Sequence, residues 1–175
     1  METNWKVDPT HSEVGFKVKH MMITNVNGSF GTFDADVLTD GEDFTSARFS
    51  FSADINSINT GVADRDTHLK SDDFFNAEKY PKLNFRSTSI KDNGSGELSI
   101  EGELSIRDIT KPIVLNAEFG GIVVDPYGQT KAGLTVNGKI KRSEYDLKWN
   151  AITEAGSIVV SDEVKLIAEL QFIKQ

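Results

Sequence analysis

Hydrophobic and polar residues alternate along most of this chain. The pattern is clearest at residues 97–107, where Leu98, Ile100, Leu104 and Ile106 share one face and Glu97, Ser99, Glu101, Glu103, Ser105 and Arg107 the other. A strand sorts residues this way because successive side chains point to opposite faces, whereas a helix would scatter them around its axis. Gly102 falls on the apolar face, where it suits a bend or bulge in a curved sheet.

Other segments repeat the pattern. Val14, Phe16 and Val18 oppose Glu13, Lys17 and Lys19, and His20 continues the inward set. Phe49, Phe51, Ala53 and Ile55 alternate with Ser50, Ser52 and Asp54, and Leu83 and Phe85 with Asn84 and Arg86. Further sets are Ile113, Leu115, Ala117 and Phe119; Leu134, Val136 and Ile140; and Val164, Leu166, Ala168, Leu170 and Phe172. Short strands are also expected at residues 30–38 and 158–160. Turns are expected at Asn27-Gly28, Asp40-Gly41, Asp92-Asn93-Gly94 and Asp125-Pro126-Tyr127-Gly128, whose residues tolerate the backbone angles that turns require.

Residues 60–80 break the alternation: Val62, Leu69 and the Phe74-Phe75 pair do not fit a strand. Ser71 followed by Asp72 and Asp73 reads as a helix N-cap with acids in the first turn. One or two short helices are therefore expected between two strands, with a single further turn at residues 143–146. Trp5 and Trp149 are expected to pack under strand ends.

About eight or more amphipathic strands must bury one face and manage their edges, and closing the sheet does both. The expected fold is all-β: an extended antiparallel, lipocalin-like β-barrel of about eight strands, with a short helical insertion around residues 61–77. Its length of 175 residues suits a single domain spanning the chain. The inward set is apolar: Val14, Phe16, Val18, Phe51, Ile55, Phe85, Leu104, Leu115, Leu134, Val136, Leu166 and Leu170. Alternation alone leaves two readings open, a core filled with side chains or a cavity that would dissolve a hydrocarbon chain.

Composition narrows the function. There is no cysteine, which excludes a disulfide framework, a thiolate metal site and a cysteine nucleophile. The 27 acidic and 19 basic residues leave a net charge of −8, which disfavours nucleic acid as a partner. The densest positive group, Lys139, Lys141 and Arg142, reads as a solvated strand end. No apolar run approaches the length of a membrane-spanning helix, and residues 1–6 lack the basic start and apolar core of a signal peptide. A cytoplasmic location is the resulting expectation.

The chain resembles the YceI-like family of polyisoprenoid-binding barrels. The resemblance begins at Trp5-Lys6-Val7-Asp8-Pro9-Thr10-His11-Ser12 and Val14-Gly15-Phe16-Lys17-Val18-Lys19-His20, and continues at Val26-Asn27-Gly28-Ser29-Phe30 and Ser57-Ile58-Asn59-Thr60. Its most specific block is Arg65-Asp66-Thr67-His68-Leu69-Lys70-Ser71-Asp72-Asp73-Phe74-Phe75, followed by Tyr80-Pro81 and Phe85. It ends with residues 102–112 and Arg142-Ser143-Glu144-Tyr145. Membership implies a bacterial barrel with a tunnel for a long prenyl or other lipid-like chain, and suggests a homodimer. Members are often periplasmic, which the N-terminus of this chain does not support.

The polar candidates are few. His11, His20 and His68 show no metal-ligand spacing, so no metal is expected, and no cofactor other than a bound isoprenoid or similar lipid. Arg65, Asp66 and His68 could act as acid and base, line a mouth, meet a head group or tie the insertion down. Nucleophile-elbow and phosphate-loop motifs are absent. The expected function is binding, transport or storage of a long apolar lipid, such as a polyisoprenoid or isoprenoid quinone, rather than catalysis. The alternatives are an enzyme acting on a prenyl lipid and a ligand-free interaction barrel. The expected ligand-binding residues are the twelve inward residues above with His20, Arg65, His68, Leu69, Phe74 and Phe75.

Overall fold

The computed structural model describes residues 1–147 and 160–175. These form β1 (Glu2–Val7), β2 (Glu13–His20), β3 (Thr24–Phe30), β4 (Phe33–Asp40), β5 (Asp43–Asp54), β6 (Ile58–Asn59), α1 (Ala63–Lys70), β7 (Lys82–Gly94), β8 (Glu97–Ile106), β9 (Ile109–Val124), β10 (Thr130–Lys141) and β11 (Val160–Lys174). Single 3-10 turns occupy Pro9–His11, Ile55–Ser57 and Arg142–Tyr145. Trp149 and residues 158–159 of the expected short strand lie outside the described residues; Val160 opens β11.

Eight strands close an antiparallel ring in the order β1-β4-β5-β7-β8-β9-β10-β11, and β11 returns to β1. The remaining strands extend it. β2 follows β1 further along β11, and β3 leads into β4, so two walls of the barrel are each made of two strands in series. Residues 172–174 of β11 pair with β1 while residues 164–169 pair with β2. The short β6 adds to the far end of β3. The expected all-β barrel with one helical insertion is therefore what the chain forms.

The differences are local and have physical causes. The strand expected at residues 30–38 is two strands, separated at Gly31-Thr32. Asn27-Gly28 is not a turn but part of β3: Gly28 faces Phe16, and a Cβ there would lie 2.2 Å from the Phe16 ring. The chain turns instead at Met21 and Met22, both left-handed, with φ of 54° and 62°. Residues 92–94 end β7, and the turn follows at Ser95 and Gly96. Gly41 and residues 125–128 do turn as expected, with Gly128 N–H donating to Asp125 O at 3.0 Å. β1 escaped the alternation because only Trp5 and Val7 are apolar within it.

The insertion also differs in detail. Its helix, α1, precedes Ser71 rather than following it, and residues 71–80 form turns. Ser71 ends the helix: its N–H donates to His68 O at 3.1 Å and its hydroxyl to the same carbonyl at 2.5 Å. Asp64 and Asp66 occupy the first turn and His68 and Lys70 the last, which suits the helix dipole. The turn expected at residues 143–146 is the 3-10 turn Arg142–Tyr145, closed by left-handed Asp146.

One end of the barrel is packed solid. Trp5 and Phe44 rings lie 5.1 Å apart, and Phe44 stacks on Phe119 at 4.8 Å. Trp5 is fully buried, as expected, and its indole N–H donates to Thr39 Oγ1 at 2.9 Å. Gly102 has a close neighbour that requires it: a Cβ there would sit 2.5 Å from both Arg86 O and the Phe85 ring. The register also shifts opposite it, between Ser87 and Ser89 of β7. The break between β1 and β2 is held by Asp8, which accepts from Thr10 N–H at 3.1 Å and Thr10 Oγ1 at 2.7 Å. Its other oxygen lies 2.9 Å from His11 Nδ1 and 3.4 Å from Lys131 Nζ. The Thr10 hydroxyl, then His11, the Thr10 N–H and Lys131, hold the Asp8 carboxyl well below the usual carboxylate range against the opposing effect of burial.

Two outcomes follow. Gly102→Ala forces the Arg86 backbone and Phe85 to move, and should cost about 1–3 kcal/mol, lowering Tm by several degrees in a thermal melt; an unchanged Tm would show that the close approach is relaxed. The lowered Asp8 pKa stabilises the fold above the ordinary carboxylate range near pH 4, and this contribution is lost as pH falls below it. Asp8→Asn should therefore show a smaller Tm difference between neutral pH and about pH 3 than the unaltered chain.

Candidate functional site

The interior divides along the barrel axis. Beyond the aromatic packing lies a cavity of about 200 Å³. Each wall contributes residues that alternation placed inward. β2 supplies Val14, Phe16 and Val18; β11 supplies Val164, Leu166, Ala168 and Leu170; β5 supplies Phe51. β7, β8, β9 and β10 add Phe85, Leu104, Leu115 and Val136. Phe30, Phe49, Ile100, Ile106 and Ile113 also reach the wall, and Phe172 closes it toward the packed end. These last residues obey the same period of two, so the signal to include them was present in the sequence.

The insertion closes the cavity laterally. Leu69 of α1, Phe74 and Phe75 all line it. Phe75 meets Phe30 edge-on at 6.4 Å, and Phe30 meets Phe16 at 5.9 Å. The turn after α1 is clamped by Arg107, at the β8–β9 turn. Its guanidinium donates to Phe74 O at 2.6 Å and Asp72 O at 3.0 Å, pairs with the Asp72 carboxylate at 3.1 Å, and lies over the Tyr80 ring. Alternation makes Arg107 only the outward end of a strand; nothing local in sequence signals a contact 33 residues away.

Five expected site residues are not on the cavity wall. Ile55 falls in the 3-10 turn after β5 and is buried in the packed core. Leu134 is likewise buried, opposite Phe119 and Leu170, where the β9–β10 register shifts. His20 ends β2, beside Thr24 and Val160. Arg65 turns back to its own loop, donating to Thr60 Oγ1 and Thr60 O at 2.7 Å each. His68 Nε2 lies 2.8 Å from Asp73 Oδ2, and its ring meets Phe74 at 5.1 Å. Asp66 accepts from Thr60 N–H and Thr60 Oγ1 at 2.9 and 2.6 Å. Arg65 and Asp66 thus converge on Thr60 while His68 pairs with Asp73, and the three knit the insertion together without forming one cluster. Among the described residues no group of three His, Asp or Glu side chains could hold a metal ion.

The polar residues on the cavity wall, among those described, are Ser50, which sits between the inward Phe49 and Phe51, and Arg142. The solvated reading of Arg142 is corrected: it is 5 % exposed. It lies where β9 and β10 part. Below Asn137, residues 138–141 pair with β11 alone, and residues 109–115 of β9 with β8 alone, among the described residues. Gly138 makes room there for Leu115, whose Cδ2 would be 2.4 Å from a Cβ. Arg142 donates to Leu147 O at 2.7 Å, Ser161 O at 2.8 Å and Val160 O at 3.1 Å, tying the turn after β10 to the start of β11. Burial lowers its pKa, and the Asp162 carboxylate opposes that shift. A buried guanidinium keeps its charge because its intrinsic pKa is so high.

Tyr145, in the same turn, is 1 % exposed and its hydroxyl has no partner among the described residues. Burial pushes its pKa up to about 12, with Glu144 adding to the shift. An unpartnered buried hydroxyl costs about 1–3 kcal/mol. Tyr145→Phe should therefore match or exceed the parent in a denaturant melt, by up to about 1 kcal/mol; a clear loss of stability would reveal a partner for the hydroxyl. Because the raised pKa favours the neutral folded form, the parent should also lose stability as pH rises from about 10 through 12, and the variant less.

The comparisons with known proteins agree with this architecture. The YceI-like domain matches residues 5–172. The UPF0312 protein of Staphylococcus aureus strain N315 is 34% identical over 171 residues, covering 97% of each chain. The crystal structure of the Campylobacter jejuni YCEI protein is 35% identical, covers 96% of each chain and superposes with a TM-score of 0.77. A polyisoprenoid-binding domain from Saccharophagus degradans shares the fold at 16% identity, with a TM-score of 0.66 over 98% of each chain. The barrel closed by β1 and β11, the helix inserted between its strands and these matches along nearly the whole length place the chain in the YceI-like domain family.

Proposed function

We propose that this protein binds one elongated apolar molecule, of the long prenyl or lipid-chain class, in the barrel cavity, and carries or stores it without chemical change. The observation that carries this reading is the wall itself. Residues from nine strands and the insertion form an apolar lining, with Ser50 and Arg142 as its polar members among the described residues. The packed aromatic end shows that this chain can fill its interior, so the space beyond it is not a general consequence of the fold. The description of the Saccharophagus degradans domain as polyisoprenoid-binding supports the same ligand class.

The energetics favour a chain over a compact polar molecule. Burial of each methylene contributes about 0.8 kcal/mol, so a long hydrocarbon needs few directional contacts. Arg142 supplies a fixed positive charge at one part of the wall, with donors already committed to backbone carbonyls. It would favour a ligand whose carbonyl or phosphate end lies nearby. The acid–base pairing that catalysis would need is occupied within the insertion, where Arg65 and Asp66 bond to Thr60 and His68 to Asp73.

The test is occupancy. Organic extraction and native mass spectrometry of the purified protein should find a long-chain lipid. Added prenyl lipid at about a hundred times its Kd should raise Tm by about 5–10 °C. Ala168→Phe, which adds a ring to the cavity wall opposite Val14 and Val136, should fold and lose this response. Absence of extracted lipid together with an unchanged Tm in the parent would overturn the reading.

A further inference from the structure

The outer face of β10, β11 and β2 is polarised along the barrel. Near the packed end, Glu13 stands opposite Glu169, Glu169 opposite Thr135, and Thr135 opposite Glu118. Two residues further on, the matching positions are Gly15, Ile167 and Asn137. Two residues beyond those, Lys17 faces Lys165 and Lys165 faces Lys139. Lys19 and Lys141 follow on the same outward face, Lys141 opposite Glu163, and all five lysines are exposed. Among the described residues, Lys139 alone of the five is in an ion pair, 3.8 Å from Glu163. A protein of net charge −8 thus places three like charges side by side across adjacent strands. Such pairs repel, and the repulsion is relieved when an anionic partner faces them.

The same end carries an apolar tip. β2 and β3 are joined by Met21-Met22-Ile23, which are 41, 57 and 79% exposed. Both methionines adopt left-handed angles that a glycine or asparagine would take more readily. Among the described residues none buries these side chains fully, and the cavity extends to this end, where Val18 and Val160 line it. The opposite end also exposes apolar residues, Val123, Val124 and Tyr127. There, however, the flanking Lys131 is held between Asp8 and Asp125, 3.4 Å from each.

We infer that the β2–β3 end of the barrel docks on a lipid bilayer containing anionic head groups. Met21, Met22 and Ile23 enter the interfacial layer, and Lys17, Lys19, Lys139, Lys141 and Lys165 face the head groups. An apolar loop flanked by cations is the chemistry that a membrane interface recognises, since apolar burial and attraction to anionic lipid act together. A nucleic acid would use the lysines and leave the tip exposed. Docking would bring the cavity to the bilayer from which a lipid chain could enter, and it rests on surface features independent of what the cavity holds.

Vesicle flotation tests the inference with two compositions, phosphatidylcholine alone and phosphatidylcholine mixed with phosphatidylglycerol. The protein should float with the mixed vesicles, far less with phosphatidylcholine alone, and progressively less as salt rises. Each lysine near an anionic surface contributes on the order of fivefold, so K17E/K139E/K165E should bind about a hundredfold or more weakly, and the triple Lys→Gln variant should show a smaller loss in the same direction. M21S/M22S/I23S should also bind more weakly, whereas V123S/V124S/Y127S should bind as the parent does. Equal binding to both compositions, no binding to either, or unaltered binding by the lysine variants would overturn the inference. Ala168→Phe separates it from the lipid-cavity reading: that variant should float normally while failing to take up lipid.

Discussion

Closure of the sheet through β11 is the constraint on which the rest of the molecule depends. Its final residues pair with β1, the preceding ones with β2, and its other edge carries β10 along eleven register positions. One strand therefore joins both segments of a divided wall to the continuous sheet. Closure removes exposed edges and turns a set of amphipathic strands into an enclosed interior. It also forces every inward side chain to compete for the same space.

That competition is resolved differently at the two ends. Around Trp5, Phe44 and Phe119 the large rings meet and fill the barrel, with the buried indole N–H satisfied by Thr39. Further along, two changes widen the interior. β2 and β3 form a second tier of wall, and β9 and β10 part below Asn137. Small residues set the fit within this region: Gly28 receives Phe16, Gly102 receives Phe85 and Gly138 receives Leu115. The cavity is therefore a consequence of strand divergence as much as of residue size.

Polar groups act mainly to hold this irregular half together. Asp8 stabilises the break between β1 and β2; Arg107 draws the turn after α1 onto the β8–β9 hairpin; Arg142 bridges the carbonyls of Leu147, Val160 and Ser161. Each satisfies backbone groups that regular pairing leaves unmatched, as buried carbonyls and amides require. The insertion is knitted internally by Thr60, Arg65 and Asp66, which frees its apolar residues to face the cavity. A family barrel with an apolar chamber thus depends on a few charged residues far from one another in sequence.

The sequence by itself determined the class of fold and most of the cavity wall. A period of two is a local property, so Val14, Phe16, Val18, Leu104, Leu115 and Leu166 could be assigned inward without knowing their neighbours. It also showed that residues 60–80 interrupt the strands, although Ser71 beside two aspartates suggested the wrong end of the helix. Only the tertiary structure decided which inward residues face space and which face each other. Leu134 and Leu115 are both inward leucines, but one packs into solid core and the other crosses the gap at Gly138. It likewise decided that Asn27-Gly28 lies within a strand, because the requirement for glycine comes from the Phe16 ring across the pair. The same holds for Arg65, His68 and Arg142. A charged residue's partners are set by which backbone groups remain unpaired after the barrel closes, and that is not encoded at any fixed spacing along the chain.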